Sequence, residues 1–192
     1  MIKIIYFDYH QVLDRRGYRG LLDAILTAAK QPNSAVEMLE PYAYAYAAGK
    51  VQPVEFWNSI ERDYGLAAAA AGKKYYLHVD PIREMWELIN TLKEKYQVGL
   101  CTECAIDKKE VLKHAYDLPD FFDQLFFSCD IGLTKKDMEF YRLLLQNGMY
   151  QPNECILVDA DEHNIAMAKT LWIEAIQFTN PENLKKQLAS IQ

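Results

Sequence analysis

The sequence predicts an α/β fold in which helices cover both faces of a parallel β-sheet. The first observation is a series of short, continuous apolar runs, a pattern typical of strands buried on both faces. These runs cover residues 2–7, 98–101, 125–127 and 155–158, with a weaker one at 175–178. The second observation is that helical patterns lie between the runs. Strands that alternate with helices indicate βαβ units with right-handed crossovers, and therefore a parallel sheet.

The segment from Pro81 to Lys95 has the clearest helical pattern. Its apolar residues recur every three or four positions, which places them on one face of a helix. They are Ile82, Met85, Trp86, Ile89 and Leu92. Asp80 is expected to cap this helix and Pro81 to begin it. Similar patterns predict helices over 138–146 and 164–171, and a last helix that begins near Pro181 with Asn180 or Thr179 as its cap.

Residues 15–78 break this alternation, because they contain helical patterns and no strand-like run. Helices are expected over residues 20–30, 34–48 and 53–64. The simple segment Ala67–Gly72 is expected to end a helix or to form a hinge back to the core. Because the insertion follows the first strand directly, it would cover the strand ends as a cap. We therefore expect an α/β core of residues 1–14 and 79–192 and a helical cap of residues 15–78.

The composition limits the range of functions. The chain has 192 residues and a formal net charge of −6, with no basic run, which argues against nucleic-acid binding. The apolar start, residues 1–7, is too short for a signal peptide or a membrane span. We therefore expect a cytoplasmic protein with neither a nucleic-acid nor a membrane partner. The sequence leaves the oligomeric state open.

Several other residues have both a structural and a functional interpretation. Cys101 and Cys104 have the CxxC spacing of redox and zinc sites, but a second pair is absent, which favours packing. Packing is also favoured over pocket lining for three tyrosines of the cap. Three lysines are expected on solvated helix faces, and surface positions are favoured over substrate binding for three arginines. These residues are Tyr42, Tyr44 and Tyr46, then Lys108, Lys109 and Lys113, and finally Arg15, Arg16 and Arg19.

Polar side chains stand at the ends of three predicted strands. Asp8 ends the first run, Thr102 follows the second and Asp159 follows the fourth. In an open parallel sheet, ligands bind beyond the carboxyl ends of the strands. The sequence therefore predicts a site in which these three side chains lie together.

Four segments resemble, in the same order, the four motifs of the haloacid-dehalogenase-like (HAD) hydrolase superfamily. They are Phe7–Leu13, Leu100–Thr102, Gly132–Tyr141 and Ile156–Asn164. The pattern is most similar to the branch that contains glucose-1-phosphate phosphatases and the N-terminal phosphatase domains of epoxide hydrolases. The resemblance implies a Rossmann-like three-layer core with a parallel sheet and a small helical cap inserted after the first strand.

The resemblance also implies roles for individual residues. Asp8 would be the nucleophile that forms an aspartyl phosphate, and Thr102 and Lys135 would bind the transferring oxygens. His10 would stand at the acid/base position. A Mg²⁺ would bridge the nucleophile and the phosphate. Its ligands would come from Asp8, the His10 carbonyl, Asp159 and Asp161.

Four positions depart from the family pattern. His10 replaces the acid/base Asp, and Ala160 replaces an Asp that usually contacts the metal. Glu103 stands where relatives usually have Asn, and Lys136 replaces a common Pro. Because Mg²⁺ demands near-octahedral oxygen ligands, the loss of one carboxylate should weaken its binding. Asp161 is a neighbour of the missing ligand, but a shift of one residue usually points a side chain elsewhere.

Three functions therefore stay open. The favoured one is a phosphatase of a small phosphorylated metabolite that uses weakly held Mg²⁺. The second is a catalytically silent HAD scaffold with a binding role, which the changes at His10 and Ala160 favour. The third is a metal-independent hydrolase similar to the dehalogenases of the family. Function has to be argued from the site and not from the fold.

Overall fold

Five parallel strands form the centre of the protein in a computed structural model that describes residues 1–190. The strands are β1 (Ile4–Phe7), β2 (Gln97–Thr102), β3 (Gln124–Phe127), β4 (Cys155–Asp159) and β5 (Glu174–Gln177). Their spatial order is β3-β2-β1-β4-β5, and every neighbouring pair is parallel. The carboxyl ends of β2, β1 and β4 therefore lie side by side at one edge of the sheet.

Helices account for most of the remaining chain. In order, they are α1 (Tyr18–Ala28), α2 (Val36–Ala47), α3 (Pro53–Tyr64), α4 (Leu66–Leu77), α5 (Arg83–Leu92), α6 (Ile106–Ala115), α7 (Leu118–Phe121), α8 (Ser128–Ile131), α9 (Met138–Gly148), α10 (Glu162–Thr170) and α11 (Pro181–Ser190). Short 3₁₀ turns cover Asn33–Ala35 and Pro152–Glu154. Within residues 1–190, no helix is both long enough and apolar enough to cross a membrane.

Side chains of β1 alternate between two separate hydrophobic clusters. Ile5 and Phe7 belong to a cluster shared with α5, α6 and α11, whereas Ile4 and Tyr6 belong to a cluster shared with α9 and α10. Successive residues of a strand point to opposite faces, so the two clusters lie on the two faces of the sheet. This arrangement of helix, sheet and helix confirms the predicted fold class.

Both predictions about the start of α5 differ from the structure. The helix predicted from Pro81 begins instead at Arg83, and Asp80 does not cap it. The reason is that Pro81 pairs with Asp14 in a short antiparallel bridge, and Ile82 N–H donates to the Leu13 carbonyl at 2.8 Å. For the last helix, the predicted Asn180 does act as the cap, because its Oδ1 accepts the backbone N–H of Asn183 at 2.8 Å.

The four helices α1–α4 pack around a hydrophobic cluster of their own. The segment Ala67–Gly72 lies inside α4, so its prediction as a helix end or hinge was wrong. Tertiary packing explains this, because a Cβ on Gly72 would lie 2.7 Å from Ile25 Cγ1 and 3.0 Å from the Trp57 ring. Small side chains thus allow α4 to approach α1 and α3 closely. The cap boundaries at residues 15 and 78 stay a prediction.

The two connections between the core and these helices meet at the buried carboxylate of Asp14. One oxygen accepts the Tyr9 hydroxyl at 2.7 Å and the Asp80 N–H at 2.6 Å. The other accepts the Arg16 N–H at 2.8 Å. A carboxylate that is fully buried is tolerated only when donors satisfy it. Through these hydrogen bonds, Asp14 links the segment that leaves the core at Arg16 to the segment that re-enters it at Asp80.

We expect Asp14→Asn to destabilise the protein by about 2 kcal/mol, because an amide places an NH₂ group against one of the donors and removes the charge. Urea unfolding of both proteins measures the difference. The matched control is Asp23→Asn, which removes a carboxylate from an exposed pair with Arg19 and should cost less than about 0.5 kcal/mol. Equal, small losses of stability in the two variants would contradict the proposed role of Asp14 in linking these segments.

Candidate active site

The three predicted strand-end residues lie together at one edge of the sheet. Asp8 follows β1, while Thr102 and Asp159 are the last residues of the flanking strands β2 and β4. All three are buried, with 6%, 0% and 1% of their surface exposed. The strand order thus brings together side chains that are separated by up to 151 positions in the sequence (159 − 8).

Lys135 links two of these residues. Its Nζ lies 2.9 Å from Asp8 Oδ1 and 2.6 Å from Asp159 Oδ2, and its side chain is fully buried. Burial disfavours the ammonium, but Asp159 and Asp8 outweigh that effect and hold the pKa of Lys135 well above its usual value. The lysine is therefore charged, and the group of two carboxylates and one ammonium carries one net negative charge when both acids are ionised.

Asp159 is held by further donors that fix its position. Oδ2 also accepts the Asn164 side-chain amide at 3.1 Å, and Oδ1 accepts the Asp161 N–H at 2.9 Å. Asp8 differs, because its Oδ1 has no partner in hydrogen-bond geometry even though it lies close to Lys135. Asp159 therefore positions the ammonium, and Asp8 is the less constrained of the two carboxylates.

His10 is buried with 8% of its surface exposed. Burial, and next the nearby Lys108, lower the pKa of His10 to about 4, so the imidazole is neutral near pH 7. Its Nδ1 lies 3.4 Å from the Arg16 carbonyl, and Nε2 has no partner. A proton on Nδ1 satisfies that carbonyl and leaves Nε2 as an unused acceptor. His10 is therefore suited to accept a hydrogen bond and not to donate a proton at neutral pH.

Glu103 was predicted only as a replacement of Asn, and the structure places its carboxylate in the site. Its Oε1 accepts the backbone N–H of Lys135 at 2.8 Å, and the residue is half-buried. Burial raises the pKa of Glu103 to about 7, although Lys135 opposes the shift. Near neutral pH, this carboxyl group is thus present in both protonation states.

A cavity of about 250 Å³ lies between this edge of the sheet and helices α1 and α2. The core supplies Asp8, His10, Gln11, Glu103, Asp159, Ala160, Asp161 and Asn164, and the cap helices supply Tyr18, Arg19, Leu22, Glu40 and Tyr44. Among the lining residues, His10 Nε2 and the Tyr18 hydroxyl are buried polar atoms without a hydrogen-bond partner. Unpaired buried polar atoms are costly, and a polar ligand in the cavity would satisfy them.

The Mg²⁺ site that the motif resemblance implied lacks one carboxylate ligand in the structure. The Ala160 side chain offers no ligand atom, and both oxygens of Asp159 accept bonds from protein groups. Asp161 is exposed, and its Oδ1 caps α10 by accepting the His163 N–H at 2.8 Å. Across residues 1–190, no group of three or more His, Cys, Asp or Glu side chains is arranged to hold a metal ion.

The three tyrosines of the cap divide between the two interpretations. Tyr42 and Tyr46 stack on Phe56, with ring centroids 5.2 and 4.0 Å apart, so they pack between helices as favoured. Tyr44 lines the cavity and stacks on Tyr18 at 5.2 Å. The cap residues Tyr18 and Glu40 were not singled out from the sequence, because the spacing within a helix does not show which face covers the strand ends.

Two expectations about basic residues also need revision. Lys108 is not on a solvated face but is buried, donates to the His78 carbonyl at 2.9 Å and lies 5.1 Å from the Tyr9 ring centroid. Arg16 is half-buried and donates to the Tyr75 carbonyl at 3.0 Å. These contacts of Lys108 and Arg16 depend on tertiary packing, which periodicity alone does not encode.

Cys101 and Cys104 are both buried and free.

Replacing Glu103 with Gln should remove a pH-dependent loss of stability. A carboxyl group with a raised folded pKa binds more protons in the folded state, so stability falls between about pH 4.5 and 7. Gln keeps an oxygen for the Lys135 N–H but cannot ionise. We expect Glu103→Gln to be more stable than the parent by about 1–3 kcal/mol at pH 8, with the gain shrinking at pH 4.

Urea unfolding at both pH values measures this difference. Glu110→Gln serves as the control, because Glu110 forms an exposed pair with Lys113 and its loss should matter little at either pH. A gain for Glu103→Gln that is equal at the two pH values would contradict the assignment of a raised pKa.

Comparisons with known proteins agree with this architecture. No family model matches the chain. Drimenol cyclase drtB of Aspergillus calidoustus is 23% identical over 153 residues, which cover 76% of this chain and 29% of that protein. Acyl-CoA dehydrogenase family member 10 of Mus musculus is 34% identical over 70 residues, or 36% of this chain and 6% of that protein. The chain therefore spans less than a third of either relative.

Solved structures are similar over almost the whole chain. The HAD family enzyme BT-2542 of Bacteroides thetaiotaomicron, in complex with magnesium and inorganic phosphate, has a TM-score of 0.78 at 22% identity, covering 93% of this chain and 95% of that chain. A predicted HAD-like family hydrolase of Porphyromonas gingivalis has a TM-score of 0.75 at 20% identity, covering all of both chains (100% and 100%). L-2-haloacid dehalogenase of Xanthobacter autotrophicus reaches 0.64 at 17% identity, covering 100% and 84%. The chain therefore has the HAD-like hydrolase fold that its four motifs predicted.

Proposed function

We propose that this protein hydrolyses a small phosphate ester, with Asp8 as the nucleophile. The observation that carries the proposal is the Asp8 carboxylate, which belongs to the cavity lining and whose Oδ1 lies 2.9 Å from the buried Lys135 ammonium. The unpartnered Thr102 hydroxyl at the end of the neighbouring strand supports it. The magnesium and phosphate held by the similar enzyme BT-2542 are further support for phosphate chemistry in this fold.

The proposed reaction has two displacements at phosphorus. First, an Asp8 oxygen bonds to phosphorus while the bond to the ester oxygen breaks, which leaves an aspartyl phosphate and releases the alcohol. Water then attacks the phosphorus of that intermediate, and inorganic phosphate leaves as the Asp8 carboxylate is restored. Lys135 and Thr102 would stabilise the charge on the transferring oxygens in both steps.

Protons have to move in both steps, and two groups in the cavity can move them. The departing ester oxygen needs a proton, which Glu103 can supply because its pKa of about 7 leaves part of it protonated at neutral pH. The attacking water has to lose a proton. The unpartnered Nε2 of neutral His10 can accept the hydrogen bond of that water, and ionised Glu103 can take its proton. Glu103 would thus take over the part that the missing Asp has in the family pattern.

We expect turnover of small phosphate esters that disappears in Asp8→Asn, because an amide is a poor nucleophile. A panel of alkyl phosphates and p-nitrophenyl phosphate, assayed for released phosphate with and without Mg²⁺, measures this. Asp23→Asn is the control, since that residue pairs with Arg19 on the surface. The weak Mg²⁺ binding expected from the sequence stays a prediction, which the two arms of the assay test.

The same assay separates the alternatives. An inert parent that gains Mg²⁺-dependent turnover only in the double variant His10→Asp/Ala160→Asp would identify a catalytically silent scaffold with a binding role. Release of halide from 2-halocarboxylic acids without metal would identify a dehalogenase-like hydrolase, an alternative that the loss of a carboxylate at Ala160 favours. If the parent and the double variant are both inert on every substrate, the assignment of Asp8 as a nucleophile is contradicted.

The proposed role of Glu103 as a general acid predicts that its effect on the rate depends on the leaving group. We expect Glu103→Gln to slow hydrolysis of alkyl phosphates by about 10²-fold, because alkoxides leave poorly without a proton. Hydrolysis of p-nitrophenyl phosphate should change little, because nitrophenolate leaves without one. Steady-state kinetics on the two substrate types measure the contrast, with Glu110→Gln as the control. Equal losses on both types would show that Glu103 does not act as the acid.

A further inference from the structure

The cavity next to Asp8 is rich in hydrogen-bond acceptors and poor in cations. Its lining includes the carboxylates of Asp8, Glu40, Glu103, Asp159 and Asp161. Lys135, whose side chain is fully buried, compensates the first and the fourth of these. The one basic side chain in the lining, Arg19, is exposed and pairs with Asp23 at 3.0 Å. A ligand that brings only negative charge would therefore meet the carboxyl groups of Glu40, Glu103 and Asp161.

The ammonium group of Lys136 contacts the α2 side of the cavity. Lys136 reaches from the core to the cap helix α2, where its Nζ lies 3.7 Å from the centre of the Tyr44 ring. The same ammonium lies 3.8 Å from Glu40 Oε1, and the Tyr44 hydroxyl donates to that oxygen at 3.3 Å. The face of an aromatic ring beside a carboxylate is a favourable environment for a cation. Lys136 thus holds the position that a ligand cation would take.

The contact of Lys136 is open to exchange. Its side chain is 46% exposed and that of Glu40 is 38% exposed, so water screens the pair. Exposed ion pairs contribute little to stability, and a flexible lysine can move away at small cost. Tyr44 and Glu40 line both the cavity next to Asp8 and an adjoining hollow of about 270 Å³ that contains Lys136. A ligand bound at Asp8 can therefore reach the ring and carboxylate that Lys136 now contacts.

His10 supplies an independent indication of the ligand. Its Nε2 is buried, belongs to the lining of the cavity and has no hydrogen-bond partner. With the Nδ1 side directed at the Arg16 carbonyl, Nε2 is an acceptor that a donor from the ligand can satisfy. A ligand with N–H or O–H groups meets this need, whereas a quaternary ammonium or a bare anion does not.

We propose that Glu40 and Tyr44 of α2, together with His10 Nε2 on the core side of the same cavity, form a subsite for a protonated amine of the ligand. The carboxylate and the ring would hold the charge, and the imidazole would accept one N–H. That this ligand is the ester hydrolysed at Asp8, and hence a phosphate ester of an amino alcohol, rests on the proposed function. The amine subsite itself does not, because it can be measured without phosphate.

The test is an NMR titration of the full chain with ethanolammonium chloride, and with ethylene glycol as the neutral counterpart. We expect ethanolammonium to bind at least about tenfold more tightly. Glu40→Gln should weaken its binding by about fivefold, whereas the matched control Glu110→Gln, with the same change of net charge on α6, should have no effect. Lys136→Met should tighten binding, because it removes the competing ammonium. Tetramethylammonium, which has no N–H, should bind more weakly than ethanolammonium.

Each outcome decides the proposal. Equal binding of ethanolammonium and ethylene glycol would overturn it, as would equal effects of Glu40→Gln and Glu110→Gln. Weaker binding in Lys136→Met would show that Lys136 belongs to the site and does not occupy it, which also contradicts the proposal. Failure of the proposed function is recognised separately. In that case ethanolammonium binds as expected but neither O-phosphoethanolamine nor ethyl phosphate is hydrolysed, whereas hydrolysis of ethyl phosphate without amine binding removes the subsite alone.

Discussion

The buried ammonium of Lys135, held between Asp8 and Asp159, is the interaction on which the arrangement of the site depends. Three charged groups lie at the sheet edge with almost no contact with water. Such charges persist in a protein interior only when each has a partner, because loss of one partner leaves an uncompensated buried charge. The parallel order of β1 between β2 and β4 makes this possible, since it places the two carboxylates on neighbouring strands. Asn164 and the Asp161 N–H then complete the bonds of Asp159 and leave Asp8 as the less constrained carboxylate.

A second buried carboxylate, Asp14, determines where the cap lies relative to this group. It bonds to both chain segments that join helices α1–α4 to the core and to the hydroxyl of Tyr9, the residue after Asp8. The cap side of the cavity is thus attached to the same strand that supplies Asp8. This coupling matters for function because α1 and α2 contribute the residues that face a ligand, and their distance from the sheet edge defines its size.

The substitutions at His10, Ala160 and Glu103 change the electrostatics of the site together. Relative to the HAD motifs, Ala160 removes one ligand of a dication and His10 removes the acid/base carboxylate, while Glu103 adds a carboxyl group whose pKa of about 7 lies near the working range of a general acid. Neutral His10 adds an acceptor where the motif has an acid. On the cap side, Glu40 and Tyr44 favour positive charge. These features are consistent with one another if the ligand itself brings a cation to the site.

Local patterns in the sequence were sufficient for the strands, for most helices and for the residues at the strand ends, because apolar periodicity and the chemistry of strand ends are properties of short segments. They correctly indicated that Asp8, Thr102 and Asp159 would meet, and four ordered motifs indicated the HAD-like fold. Three features required the folded chain: the burial of Lys108, the place of Gly72 inside α4, and the choice of Tyr44 and not Tyr46 for the cavity. The physical reason is the same in each case. Which face of a helix is covered, and whether a polar side chain finds its partner, depends on residues that are distant in sequence and become neighbours only when the sheet, the helices and the cap pack together.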